Sequence, residues 1–276
     1  MNVSSRFDVT GFGVIVTGGA SGLGLAYGEV LAAHGARVTL IDLDAGGVAQ
    51  QAQRLREAGL DVRAATADVT DHDALDRVID EAAGEYGRLD VAFANAGIDP
   101  GVGFVGAWAG ETRPRLPEGA LERYADERWN RVIDINLSGI FATARAAARH
   151  MRPRGFGRII LTTSLAATTV EGAIGSAYMT AKAGARHFMH SIALELAADG
   201  VTANAIAPGF FATNIGGGHA QRPEVQAPIA REIPMHRVGQ PDDIKALALF
   251  LASPASEYIT GQEIIIDGGW GLGVAD

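Results

Sequence analysis

Tyr178 and Lys182 stand four residues apart in AYMTAKAG, and on a helix that spacing puts a phenol and an ammonium on one face. Lysine is scarce in this chain: of 23 basic residues only Lys182 and Lys245 are lysine, the rest being arginine. A neighbouring ammonium favours phenolate and lowers a tyrosine from about 10 toward the working range, so Tyr178 can give a proton to a developing alkoxide or take one from an alcohol. The competing reading is a buried tyrosine beside a lysine that snorkels to water. Ser164 ends GRIILTTS, where its hydroxyl can bond a carbonyl or alkoxide oxygen as charge develops. Thr163 is the competing hydroxyl, but side chains alternate along a strand, so only one of the two faces a given side. No His-Asp pair lies nearby and LTTSLA is not a G-x-S-x-G elbow, which argues against a serine hydrolase. Asn136 sits mid-helix in VIDINLSG, where its amide can hold a water or a backbone carbonyl on a proton path to Lys182, or simply bend the helix.

A second group of residues reads as a binding turn. VIVTGGASGLG places Gly18, Gly22 and Gly24 between a short apolar run and a helical stretch that stops at Gly35. Without a Cβ at Gly18 and Gly22 the chain can bend tightly against a pyrophosphate, and the N–H groups of Gly22, Leu23 and Gly24 open a helix toward its negative charge. Ser21 can add a hydroxyl contact. Asp42 ends RVTLID, 18 residues beyond Gly24, where a carboxylate accepts from ribose hydroxyls and repels a 2′-phosphate. No Lys or Arg lies in 18–24 or 43–48 to neutralise such a phosphate, so the residues favour NAD over NADP. Asp68 and Val69 end the next apolar run, ADV, and can flank an adenine ring.

These residues need a frame. Apolar runs at 13–17, 37–42, 61–69, 89–97, 157–164, 201–209 and 263–269 alternate with helical stretches near 73–86, 126–151, 176–198 and 242–251. Strands apolar on both faces need helices on both sides, which predicts an α/β, doubly wound Rossmann fold with a mainly parallel seven-stranded sheet. A β/α barrel is the alternative, and the glycine turn argues against it. The alternation breaks twice, at 98–123 and 210–240, which read as an extended loop and a substrate lid on one dinucleotide-binding and catalytic domain spanning 1–276.

Composition narrows the partners. With 36 Gly and 49 Ala the packing must bring backbones close rather than fill space with large side chains. Acidic residues exceed basic ones by nine, a poor balance for nucleic acid. No cysteine excludes disulfides, thiolate chemistry and a Cys-ligated metal, and the seven histidines show no metal-ligand spacing. No stretch approaches the roughly 18 apolar residues that cross a bilayer, and the amino terminus runs directly into the first apolar run, so the reading is a cytoplasmic protein without a membrane partner.

Together the motifs resemble the classical short-chain dehydrogenase/reductase family over nearly the whole chain. Its cofactor motif T-G-x-x-x-G-x-G stands as TGGASGLG at 17–24, its N-A-G as Asn95, Ala96 and Gly97, its catalytic set as Asn136, Ser164, Tyr178 and Lys182, and its P-G pair as Pro208 and Gly209. The resemblance implies metal-free transfer of a hydride between a secondary alcohol and NAD. Tyr178 is then acid and base, Lys182 also holds the ribose, Phe211 lies in the cofactor-contacting segment, and Thr213 bonds the nicotinamide carboxamide. It further implies a homotetramer or dimer acting on a small-molecule alcohol or ketone. Two departures stand out. Ser164 to Tyr178 spans 14 positions where the family has 13, and 98–123 is longer than usual, bringing Phe104 and Trp108 to the substrate site, a subunit interface or plain surface. The substrate itself depends on 208–234, where Phe210 or Phe211 can line a pocket and His219 or Arg222 can meet a carboxylate or water. A carrier-bound 3-oxoacyl substrate is the alternative within enzymes. A catalytically silent nucleotide-binding subunit is the alternative outside them.

Overall fold

The computed structural model describes residues 3–98, 101–106, 112–215 and 218–273. Seven strands, β1 (Gly13–Thr17), β2 (Arg37–Asp42), β3 (Val62–Thr66), β4 (Val91–Ala94), β5 (Gly157–Thr162), β6 (Val201–Pro208) and β7 (Glu263–Ile266), form one parallel sheet in the order β3-β2-β1-β4-β5-β6-β7. The doubly wound fold is therefore present. Sheet growth reverses between β1 and β4, and the crevice beyond their carboxyl ends is where such sheets bind ligands.

Period-two alternation decides which side chains feed which layer. In β1, Val14 and Val16 face one core with Tyr27, Leu31, Leu40, Val48 and Leu251, while Ile15 faces the other with Leu75, Ile79, Ile140 and Met189. The first layer is built by α1 (Gly22–Ala33), α2 (Ala45–Glu57) and α8 (Lys245–Ala252). The second is built by α3 (His72–Tyr86), α5 (Gly139–Met151) and α6 (Ser176–Leu196). The glycine and alanine content acts here. A Cβ on Gly28 of α1 would lie 2.5 Å from Leu40 Cδ2, so the helix rides directly on β2.

The structure corrects several sequence expectations. β3 stops at Thr66 rather than Val69, because its partner β2 ends opposite it at Asp42 and Ala67 N–H makes the last bond to Asp42 O at 3.1 Å. The helix at 126–151 is two helices, α4 (Asp126–Ile133) and α5, joined by a π turn at Asp134–Ser138. The helix expected at 242–251 starts as a 3₁₀ turn, Pro241–Ile244. Helix α2, masked in the sequence by Gly46 and Gly47, is capped by Asp44, whose Oδ1 accepts from Gly47 N–H at 3.0 Å. The 210–240 segment contains α7 (Pro223–Glu232).

Replacing Gly28 by valine overpacks the α1–β2 contact. We expect the variant to lose about 1–3 kcal/mol in urea unfolding with an unchanged slope.

Candidate active site

The carboxyl ends of β1, β4 and β5 are laced together by short side chains. Thr17 Oγ1 donates to Phe93 O at 3.2 Å and accepts from Asn95 N–H at 3.1 Å. The Asn95 amide donates to Thr17 O at 3.0 Å and accepts from Thr162 Oγ1 at 3.0 Å. The phosphate turn is thus fixed to the strand that leads to Ser164. Tyr27, stacked on Phe93 at 4.5 Å, brings its hydroxyl to 3.4 Å from Thr162 Oγ1, and burial pushes its pKa above the usual phenol range, so it stays protonated. Thr17 stood in the sequence only as the first residue of the glycine motif, and Tyr27 and Thr162 were missed. The signal for two of them was a hydroxyl closing an apolar strand.

The turn itself fits a dinucleotide. Gly18 and Gly22 have φ of 69° and 55°, and a Cβ on Gly18 would meet Asn95 Nδ2 at 2.9 Å. Ser21 occupies the N-cap of α1 without a side-chain cap, which leaves the N–H groups of Gly22, Leu23 and Gly24 facing the crevice for an anion. Gly22 also packs beside Thr213, a Cβ there falling 3.3 Å from Thr213 Cβ, so the start of the 210–240 segment meets the turn. Asp42 Oδ2 accepts from Ala20 N–H and Oδ1 from Asp44 N–H, both at 3.0 Å. Two bonds leave further lone pairs on the carboxylate for hydroxyl donors.

The other expected contact residues have partners within the chain. Asp68 lies in the connection after β3, and its Oδ1 accepts from Thr70 N–H and Oγ1 at 2.8 Å each. Val69 is buried against Gly139, with 2.7 Å between its Cγ2 and a Cβ built there. Pro208 ends β6, and Gly209 N–H bonds Ile266 O at 2.9 Å. The Phe211 ring is buried over Gly239, so only its backbone is left for a ligand and Phe210 is half-buried against Ile233 and Trp270. Arg222 is an exposed residue at the start of α7. Trp108 and Gly216 lie outside the described residues.

At the reacting end, Lys182 is 3% exposed and its Nζ donates to Thr162 O at 2.8 Å while lying 5.6 Å from the centroid of the half-buried Tyr178 ring. Burial lowers its pKa to about 8. A Cβ on Gly97 would lie 2.7 Å from Asn136 Oδ1 and 3.7 Å from Lys182 Nζ, so amide and ammonium flank one point that only glycine leaves open. Asn136 reaches it because the π turn rotates its side chain inward. It is fully buried, donating to Val132 O at 3.1 Å and accepting from Ile98 N–H at 3.3 Å. Thr163 Oγ1 is committed to Ile206 O at 3.2 Å and Glu263 Oε1 at 2.7 Å. That leaves Ser164 as the hydroxyl of the crevice. Its Oγ accepts from Ala166 N–H at 3.2 Å, and its own proton is left to donate.

The two unusual segments meet. Gly103 N–H and Val105 N–H bond Ala173 O and Gly172 O at 3.0 and 3.1 Å, and Arg113 pairs with Glu171 at 2.8 Å. Arg115 lies over the Phe104 ring at 5.3 Å. The long loop is therefore sewn to the connection between Ser164 and Tyr178.

Known proteins carry the same plan. A family model described as enoyl-(acyl carrier protein) reductase matches residues 18–271. The chain is 36% identical to cis-4-hydroxycyclohexanecarboxylate dehydrogenase of Sinomonas cyclohexanicum, covering 93% of this chain and 95% of that protein. The chain belongs to the short-chain dehydrogenase/reductase family. It is also 34% identical to the 3-oxoacyl-[acyl-carrier-protein] reductase of Escherichia coli over 92% of this chain and 95% of that one. A gluconate 5-dehydrogenase of Burkholderia cenocepacia, solved with NADP and tartrate, superposes with a TM-score of 0.84 at 30% identity, covering 98% of each chain. As a member of this oxidoreductase family the chain uses a nicotinamide cofactor on CH–OH groups. Among the described residues no group of three or more His, Asp or Glu side chains is placed to hold a metal, and no helix is long and apolar enough to cross a membrane.

The buried Lys182 has a measurable pH signature. Its folded pKa, about 8, lies below its ordinary value of 10.5, so between these values the unfolded chain holds a proton that the folded chain has released. Stability therefore rises as pH climbs from about 8 to 10.5, by about 3 kcal/mol at full effect. Lys182→Met should abolish that rise in a series of urea melts and lose turnover at every pH.

Proposed function

We propose that this protein is an NAD-dependent dehydrogenase that interconverts a small secondary alcohol and its ketone, and that residues 1–276 act as one dinucleotide-binding and catalytic domain. The observation that carries the reading is the buried Lys182, 5.6 Å from the Tyr178 ring and beside the Asn136 amide, at the end of the strand that leads to Ser164.

Ser164 and Tyr178 hold the substrate oxygen, Ser164 by donating its free proton. A bound nicotinamide dinucleotide supplies the hydride acceptor or donor. Tyr178 takes the hydroxyl proton in oxidation or returns it in reduction, and the Lys182 charge favours the phenolate while it lasts. Protons leave past Lys182 and a water held by Asn136 near Gly97. Gly18, Ser21, Gly22, Leu23 and Gly24 hold the pyrophosphate, with Asp42 at the adenosine ribose and Val69 and Asp68 at the adenine. Asn95, Ala96, Gly97, Pro208, Gly209, the Phe211 backbone and Thr213 line the nicotinamide side.

The choice of NAD rests on Asp42, held by two backbone N–H groups in the position that would face a 2′-phosphate. The Burkholderia relative was solved with NADP. The substrate wall formed where Arg113 and Glu171 join 98–123 to the Ser164–Tyr178 connection favours a compact alcohol, such as the cyclic hydroxy acid named for the Sinomonas relative, over a long acyl chain on a carrier. Segment 210–240 is the lid. Exposed Phe141 on α5 and Leu194 on α6, with Ile265 on the edge strand β7, offer apolar faces for a homotetramer. A cysteine-free, acidic chain fits the cytoplasm.

The deciding assay is turnover of secondary alcohols, sugars, sterols and cyclic diols with each dinucleotide. We expect NAD-dependent oxidation that Tyr178→Phe reduces at least a thousandfold. Dinucleotide binding without turnover of any substrate would sink the enzyme reading. Asp42→Ala should weaken NAD and improve NADP in kcat/KM, and parent enzyme that uses NADP better than NAD would overturn the role given to Asp42. Arg113→Ala should raise KM for the best small alcohol several-fold with kcat little changed, as the wall loosens.

A further inference from the structure

The reacting centre needs Ser164, at the end of β5, and Tyr178, on α6, to meet one substrate oxygen, and misplacement by about 1 Å can cost a hundredfold in rate. One tie between strand and helix is the bond from Lys182 Nζ to Thr162 O at 2.8 Å. A helix held at one point can still pivot about it. The residue just after the strand, Thr163, makes a second tie through β7. Thr163 Oγ1 donates to Glu263 Oε1 at 2.7 Å, and Glu263 Oε2 lies 2.9 Å from Arg186 Nε as an ion pair whose N–H is not aligned for a hydrogen bond. Arg186 is four residues after Lys182, one turn further along the same stripe of α6. The last residue of β5 and the residue after it, immediately before Ser164, are thus linked to two consecutive turns of the helix that carries Tyr178.

The burial is uneven in a telling way. The Glu263 side chain is 5% exposed while that of Arg186 is 43% exposed. Burying a carboxylate to meet a half-solvated guanidinium adds little stability on average, since desolvation offsets attraction. Thr163 is already anchored by its N–H, which donates to Ile206 O at 2.9 Å, so its one hydroxyl proton is left for the shorter bond to Glu263. What the carboxylate adds is a fixed distance between the end of β5 and α6.

We propose that Glu263 is a positioning residue for the reacting centre, a buried carboxylate that links Thr163 to Arg186 and so sets the separation of Ser164 and Tyr178. This rests on the dehydrogenase reading of those two residues. In full-length protein, Glu263→Gln and Thr163→Val should each lower kcat ten- to a hundredfold with a carbinol-deuterated secondary alcohol of the panel showing an increased isotope effect on kcat. NADH affinity, read by fluorescence, should stay within twofold. Thr163→Ser, which keeps the hydroxyl, should recover most of the loss, and the double variant should lose no more than the worse single one. A purely local role in docking β7 predicts lowered melting temperatures with kcat within twofold of the parent, and that result overturns the proposal. If the parent turns over none of the alcohols, the dehydrogenase reading is what fails. The tie is then judged by amide hydrogen exchange, which Glu263→Gln must accelerate at both 163–166 and 182–186; unchanged exchange at either segment overturns it.

Discussion

A buried ammonium holding the end of a strand organises this molecule. Lys182 has given up water for one backbone carbonyl, Thr162 O, at the carboxyl end of β5. That trade is unfavourable for the charge, as its lowered pKa shows, and it persists because the surroundings supply the geometry. Thr162 turns its hydroxyl the other way, to Asn95, which holds the phosphate turn through Thr17 O. One strand residue therefore joins the proton-transfer helix to the dinucleotide turn.

Around that residue the sheet acts as a rigid plate and the layers on its two faces do different work. The α1, α2 and α8 layer opens on the glycine turn, which meets Asp42 at the end of β2. The α3, α5 and α6 layer brings Asn136, Tyr178 and Lys182. Small side chains make both layers possible. Gly28 seats α1 on Leu40, and Gly97 leaves the space between Asn136 and Lys182 that any Cβ would fill. Alanine excess and glycine placement thus serve one end, the close approach of helices to a thin apolar sheet.

Most of the frame was legible from local pattern. Seven apolar runs became seven parallel strands, and the inner ones, buried on both faces, are legible as near-continuous apolar residues, while the edge strands β3 and β7 are partly exposed. The boundaries were less legible. β3 stops where β2 stops, a fact of pairing rather than of residue preference, and Asp68 accordingly folds back on Thr70 instead of extending the strand. Helix α2 escaped notice because Gly46 and Gly47 read as a turn until the Asp44 cap is seen.

The sequence by itself determined that Tyr178 and Lys182, at i and i+4, share one helix and that the glycines lie between a strand and a helix, since these are local relations that any correct fold must respect. Tertiary structure decided which of two adjacent hydroxyls faces the crevice, Thr163 being claimed by Glu263 from a strand 100 residues away. It also decided that Asn136 turns inward on a π turn, and that the 98–123 loop is sewn to 172–173 beside Glu171. Each of these depends on a partner distant in the chain, and no periodicity or spacing records a contact made only when the sheet has closed.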